Sequence, residues 1–244
     1  MQSNNPILTR VDTHSGFGES MTVQGAIQKS VLLTVIAAVV GLSLFFYSFL
    51  TLNLSLAYAG AMVGAIGGFV LALVATFKPN TARLLAIPYA LFEGAFLGGI
   101  SVIFQLKFPG VPLQALLATF VTTLVMFALY RFKIIRATEK FKAVVLSASI
   151  AIAIVFMVQI VMRLAFSSSV PYIFESNWLG IAFAAFVAVI ASLNLILDFD
   201  LIETSAAERA PKAMEWLCGI ALLATLVWMY YSFLRLLSLL QGDD

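Results

Sequence analysis

The side chains of this chain that could do chemistry are few, and almost all of them are carboxylates. Glu93 stands mid-stretch in Tyr89-Ala90-Leu91-Phe92-Glu93-Gly94-Ala95-Phe96-Leu97-Gly98, with no lysine or arginine in the same apolar run. An ionisable group at membrane depth is expensive, so Glu93 reads either as a polar site on a proton or ion path or as a protonated, hydrogen-bonded structural residue. A second constellation is Ile196-Leu197-Asp198-Phe199-Asp200-Leu201-Ile202-Glu203. Asn194 and Asp198, four apart, share one helix face, and Asp200 and Glu203, three apart, share another. Neighbouring carboxylates repel, so one of Asp198, Asp200 and Glu203 can hold a proton near neutral pH and serve as a pH-sensitive latch. No span contains histidine, so a pH sensor here has to be a carboxylate. Calcium prefers roughly six to eight oxygen ligands, which one helix end cannot supply; Asp198 and Asp200 would make only a weak, transient calcium site on a permeation path. Lys78, Arg83, Arg209 and Lys212 are expected on the same side as these acids and are candidate gate cations. Which of them pairs with an acid stays open.

The rest of the inventory excludes more than it offers. One cysteine, Cys218, and one histidine, His14, rule out a disulfide and a Cys/His zinc site within the chain. No nucleophile and base pair can be assembled in the spans, so an enzyme is not expected, and neither is a cofactor beyond transient calcium. The last span has no lysine for a retinal Schiff base. A rhomboid-like protease lacks its membrane histidine, and the HExxH and GxGD motifs are absent. A formal charge of +2 gives no field that would draw nucleic acid.

These groups must be positioned by helices in lipid. The 244 residues are 62% hydrophobic and 11% charged, with a mean hydropathy of +1.03, where soluble domains carry about 25% charge. The fold class is all-α integral membrane. A crossing needs roughly 20 mostly apolar residues, and seven stretches qualify: Val31 to Leu50, Leu56 to Phe77, Leu84 to Phe104, Leu113 to Tyr130, Ala143 to Met162, Leu179 to Leu197 and Met214 to Leu240. Residues 1–30 read as a polar cytoplasmic tail, 31–240 as one seven-helix domain and 241–244 as a short C-terminal tail. The first apolar run lies too far from Met1 for a cleaved signal, and Met21 to Lys29 are expected as a short helical entry along the membrane surface. Short breaks between spans imply antiparallel neighbours. Alternate connections carry eleven lysines and arginines on one side and only Lys107 and Arg163 on the other, which predicts a cytoplasmic N-terminus and an outside C-terminus.

Some features have a structural explanation. Gly60, Gly64 and Gly68, like Gly94 and Gly98, recur every four residues and are expected to pack the second span tightly on the third. Trp178, Trp216, Trp228, Tyr230 and Tyr231 read as interfacial anchors, and Arg235 as a last-span residue that snorkels outward. The basic run Arg131, Lys133, Arg136, Lys140 and Lys142 attracts anionic headgroups by about 1 kcal/mol per charge.

Five motifs together resemble the Bax inhibitor 1-like family, also called the transmembrane Bax inhibitor motif family, in its bacterial branch. They are Met21-Thr22-Val23-Gln24-Gly25; Tyr89 to Gly94 with Leu97-Gly98; Tyr130-Arg131 with Thr138-Glu139-Lys140-Phe141; Leu193 to Asp200 with Ile202-Glu203; and Ala210-Pro211-Lys212-Ala213-Met214-Glu215-Trp216. The resemblance implies a central helix surrounded by the others and a pH-sensitive calcium leak controlled by aspartates on the last two spans. It implies that Asp198 is the sixth-span aspartate. The sequence departs from the family pattern at Asp200, where a glutamine is expected, and in the seventh span, where no acid stands near Trp228. Either Asp200, Glu203, Glu215 or Glu93 supplies the second carboxylate of a bacterial inner-membrane leak for calcium or another cation, or the chain is a non-conducting stress regulator. The regulator would bind membrane proteins such as a quality-control protease, with the polar tail as its handle.

Overall fold

Polar caps and turn residues decide where the apolar stretches begin and end. The computed structural model describes residues 20–166 and 173–242. Helix α1 runs over Val23–Leu50, and the Thr22 hydroxyl caps it by accepting from the Gly25 amide at 2.9 Å. Helix α2, Leu54–Phe77, starts at Asn53, whose Oδ1 accepts from the Leu56 amide at 3.1 Å. A 3-10 turn at Pro79–Thr81 leads into α3, Ala82–Lys107, which carries Pro88 inside it. Gly110, at φ +87°, turns the chain into α4, Val111–Arg131, with Pro112 in its first turn. Helix α5 spans Glu139–Phe166, α6 spans Trp178–Ala207 under an Asn177 cap, and α7 spans Met214–Gln241.

All seven helices are long and apolar enough to cross a membrane, and their outer faces carry large exposed side chains such as Val39, Phe69, Phe120 and Ile154. In water such a surface would aggregate; in a bilayer it is solvated by acyl chains. The chain is therefore a multi-pass membrane protein. Helix α7 is central: its backbone runs close to α1, α2, α3, α4 and α6. Helix α5 docks on α6 and reaches α7 only through side chains, where the Arg235 guanidinium lies 5.7 Å from the Phe156 ring and Trp228 packs beside Ile152. Leu33, Tyr89, Ile220 and Leu223 close the core where α1, α3 and α7 meet.

Several expectations change. The first helix begins at Val23 and continues without a break into the span, so the helical entry expected over Met21 to Lys29 is the start of that helix and not a separate one, and the helical part begins at Val23 and not at residue 31. The cause is the Thr22 cap followed by positions that are already buried at Ala26 and Ser30. Residues 1–19, including His14 and Arg10, lie outside the described residues. Gly64 does bring α2 onto α3, against the backbone of Phe92 and Phe96, but Gly94 and Gly98 face Ala37 and Gly41 of α1. On α3 the glycine that meets α2 is Gly99, set against Ala57 and Ala61.

Two expected interfacial residues are turned inward. Tyr230 is buried and shares a 2.6 Å hydrogen bond with Ser101 of α3. Arg235 is only partly exposed: its guanidinium lies 4.3 Å from the Phe174 ring centroid, and Nη2 donates to the Ile173 carbonyl at 2.9 Å. The charge is held by an aromatic face and a backbone acceptor rather than by headgroups.

Candidate functional site

Helix α6 does not stop at Leu197 but runs on to Ala207, so Asp198, Asp200 and Glu203 all project from regular helix. Each residue adds about 100° around the axis. Asp200 therefore points nearly opposite to Asp198, whereas Asp200 and Glu203 fall on neighbouring sides. The three acids do not form one cluster. Asp198 faces the central helix α7, where the Thr225 hydroxyl lies against its carboxyl and Cys218 sits close by. Asp200 Oδ2 accepts from Lys142 Nζ of α5 at 2.8 Å, and Glu203 Oε2 accepts from the Tyr130 hydroxyl of α4 at 2.8 Å.

Asp198 has the least satisfied carboxyl of the three. The residue as a whole is partly buried, but its Oδ2 is sealed from water and has no hydrogen-bond partner among the described residues. An unpartnered buried acceptor costs on the order of 1–3 kcal/mol, and more if charged. One turn further along α6, Ile202 packs with Cys218, Ala26 and Met21 in a buried apolar cluster.

Met21 reaches that cluster because the chain before α1 is strapped across the α6–α7 connection. Ser20 forms an antiparallel bridge with Pro211, and the Met21 amide donates to the Ala210 carbonyl at 2.8 Å. The Thr22 amide and hydroxyl both donate to Glu215 Oε1, at 3.1 and 3.2 Å. Glu215, in the first turn of α7, is only 2% exposed, and Met21 only 3%. A side chain at Gly25 would collide with the Glu215 carboxylate, so the glycine is what lets the strap sit down. Lys29 adds a cation–π contact, 5.0 Å from the Trp216 ring. The signal for this latch was visible as a Thr-x-x-Gly cap ahead of an apolar run and an acid after Ala210-Pro211. That the two touch, 193 positions apart, was not visible.

The remaining sequence candidates sit elsewhere. Glu93 lies on the seam between α2 and α3, beside Tyr89 and facing Gly68; α3 and α6 share no contact. Asn194 turns to α5, donating to Ser149 Oγ at 2.9 Å and to its own helix at the Ile190 carbonyl. The amine that pairs with Asp200 is Lys142, outside the four expected gate cations Lys78, Arg83, Arg209 and Lys212. The reason is the one-sided docking of α5 on α6, which brings the first turn of α5 beside the end of α6. No three His, Cys, Asp or Glu side chains among the described residues come together as a metal site. Asp198 and Asp200, pointing apart, cannot share one ion.

A family model described as Bax inhibitor 1 like matches residues 5–242, nearly the whole chain. No curated protein matches the chain.

Proposed function

The chain belongs to the Bax inhibitor 1-like family, and from that premise we propose that it is a pH-sensitive leak for calcium or another cation, with Asp198 as the group that takes up and releases the proton. The observation that supports this reading is the buried, unpartnered Oδ2 of Asp198, one turn before Ile202 packs with Met21 and Cys218. Sealed and hydrated conformations bind a proton on such a group with different affinity, so pH shifts the balance between them. Opening requires Met21 to leave the cluster, which means breaking the contacts of Thr22 with Glu215. The cation is cargo and meets one carboxylate and one hydroxyl, a site weak enough to release it. We place the chain in a bacterial inner membrane with its N-terminus cytoplasmic, on the strength of the eleven basic residues at the strapped end.

The decisive experiment is calcium flux into proteoliposomes from about pH 5 to pH 8, the range over which a physiological switch would titrate. Wild-type flux should vary with pH. Asparagine is an isostere of the neutral acid, so Asp198→Asn should be flat and equal to the wild type at the acid end. Glu93→Gln should keep the wild-type profile. A second reading is favoured by Thr225, which stands against Asp198 in place of a second acid: a non-conducting stress regulator that binds membrane proteins. No flux at any pH from folded protein selects it, and removal of residues 1–20 should then abolish partner capture.

A further inference from the structure

The α4–α5 connection and the end of α6 line an open cleft of about 360 Å3, part polar and part apolar, that lies apart from the Asp198 centre. Asp200 and Glu203 form its acidic wall, with Tyr130 beside them; Arg131, Lys133 and Arg136 form its basic rim. Within the protein, Lys142 Nζ already pairs with Asp200 Oδ2 and the Tyr130 hydroxyl donates to Glu203 Oε2, and a carboxylate has lone pairs for further donors. Lys133 adopts φ 57° just past the end of α4, with its amide on the Tyr130 carbonyl at 2.9 Å. Glycine usually fills that left-handed position. Here an ammonium-bearing side chain occupies it and lines the cleft.

With Asp200 paired to Lys142 the lining is net positive and draws an anion, while Glu203 and Asp200 still offer acceptors to a donor carried by the same ligand. A ligand that satisfies both walls carries a phosphodiester and a primary ammonium on a short tether. Apolar side chains flank the same connection: Phe132 and Ile134 are 76% and 69% exposed, a surface that acyl chains would cover. We infer that this cleft holds the headgroup of a phosphoethanolamine lipid, its ammonium on Asp200 and Glu203 and its phosphodiester on Arg131, Lys133 and Arg136. A trimethylated ammonium has no N–H to donate to the acidic wall, and a glycerol headgroup has no charge for it.

The test is lipid retention by the full chain in detergent, read by native mass spectrometry with dihexanoyl phosphatidylethanolamine, phosphatidylcholine, phosphatidylglycerol and free phosphoethanolamine as probes. Phosphatidylethanolamine should bind about tenfold tighter than either other lipid, the ratio that one charge-assisted hydrogen bond supports. Glu203→Gln, at an exposed position, should erase that preference without weakening phosphatidylglycerol. Arg131→Ala with Arg136→Ala should weaken all three lipids. Equal retention of phosphatidylglycerol, with Glu203→Gln without effect, would overturn the site in favour of diffuse attraction to the basic loop. Free phosphoethanolamine binding as tightly as the lipid would overturn the lipid assignment. None of these outcomes depends on whether the chain conducts.

Discussion

The bundle divides into two parts that are held together by different physics. Helices α1, α2 and α3 touch backbone to backbone: Gly64 meets Phe92 and Phe96, Gly94 meets Ala37, Gly98 meets Gly41, and Gly99 meets Ala57 and Ala61. Around α6, by contrast, the neighbouring helices are joined largely through side chains, by Asp198 with Thr225, Asp200 with Lys142, Glu203 with Tyr130 and Asn194 with Ser149. Close backbone packing leaves no slack, because a main chain cannot rotate out of the way. Side-chain pairs can exchange one partner for another. If the proposed gating holds, the first part is expected to stay and the second, together with the strap across it, to rearrange.

The strongest way to break this comparison is to add a methyl group to the rigid part. At Gly99 a Cβ would run into the Ala57 carbonyl and lie 2.6 Å from the Ala61 amide nitrogen, both backbone atoms of α2. Gly99→Ala should therefore cost about 1–3 kcal/mol, the range for overpacking. Gly67→Ala, whose Cβ would meet only the Phe92 ring, should cost less because the ring can turn. Thermal unfolding of the two variants in one detergent compares them directly. Equal losses would mean that the α2–α3 seam yields as easily as a side chain does.

Next in size is the strap. Thr22→Ala removes both the cap on the Gly25 amide and the hydroxyl contact with Glu215, together worth about 1–2 kcal/mol. The chain supplies its own reporter, since its one cysteine, Cys218, is 1% exposed and sits under Met21. Labelling of Cys218 by a water-soluble thiol reagent should quicken roughly five- to thirtyfold in Thr22→Ala, following the lost contact energy. Glu215→Ala should quicken it as well, because the Thr22 amide then loses its acceptor. Unchanged labelling would mean that water reaches Cys218 by a route the strap does not close.

How much of this was legible in the sequence follows from the range of the interactions involved. The seven spans and the glycine spacing are local signals and were readable, because hydropathy and periodicity report a helix without reference to its neighbours. The destination of Gly94 and Gly98 was not readable, since a small-residue stripe says that something packs there but not which helix. Asp198, Asp200 and Glu203 were identified as the informative acids, and the face shared by Asp200 and Glu203 followed from their spacing. Their partners did not: Lys142, Tyr130 and Thr225 come from three other helices, and no local pattern encodes such pairings. The strap was hidden for the same reason. Residues that look like a polar tail became ordered because a buried glutamate far along the chain accepts two of their hydrogen bonds.

The smallest expected effect concerns α5, which reaches the central helix only through side chains. If side-chain pairing with α6 holds it, the bond from Asn194 to Ser149 should be energetically coupled rather than incidental. Such interhelical bonds in membrane proteins are worth about 0.6 kcal/mol, because the separated helices find other partners in the bilayer. Ser149→Ala and Asn194→Leu should each lower stability by a similar amount, and the double variant should fall short of their sum by about that coupling energy. The readout is a double-mutant cycle in reversible detergent unfolding. Strict additivity would mean that this bond is incidental and that α5 is held by packing at Ile152, Val187 and Ile190 together with the Lys142–Asp200 pair, so that side-chain pairing would then count only at the end of α6.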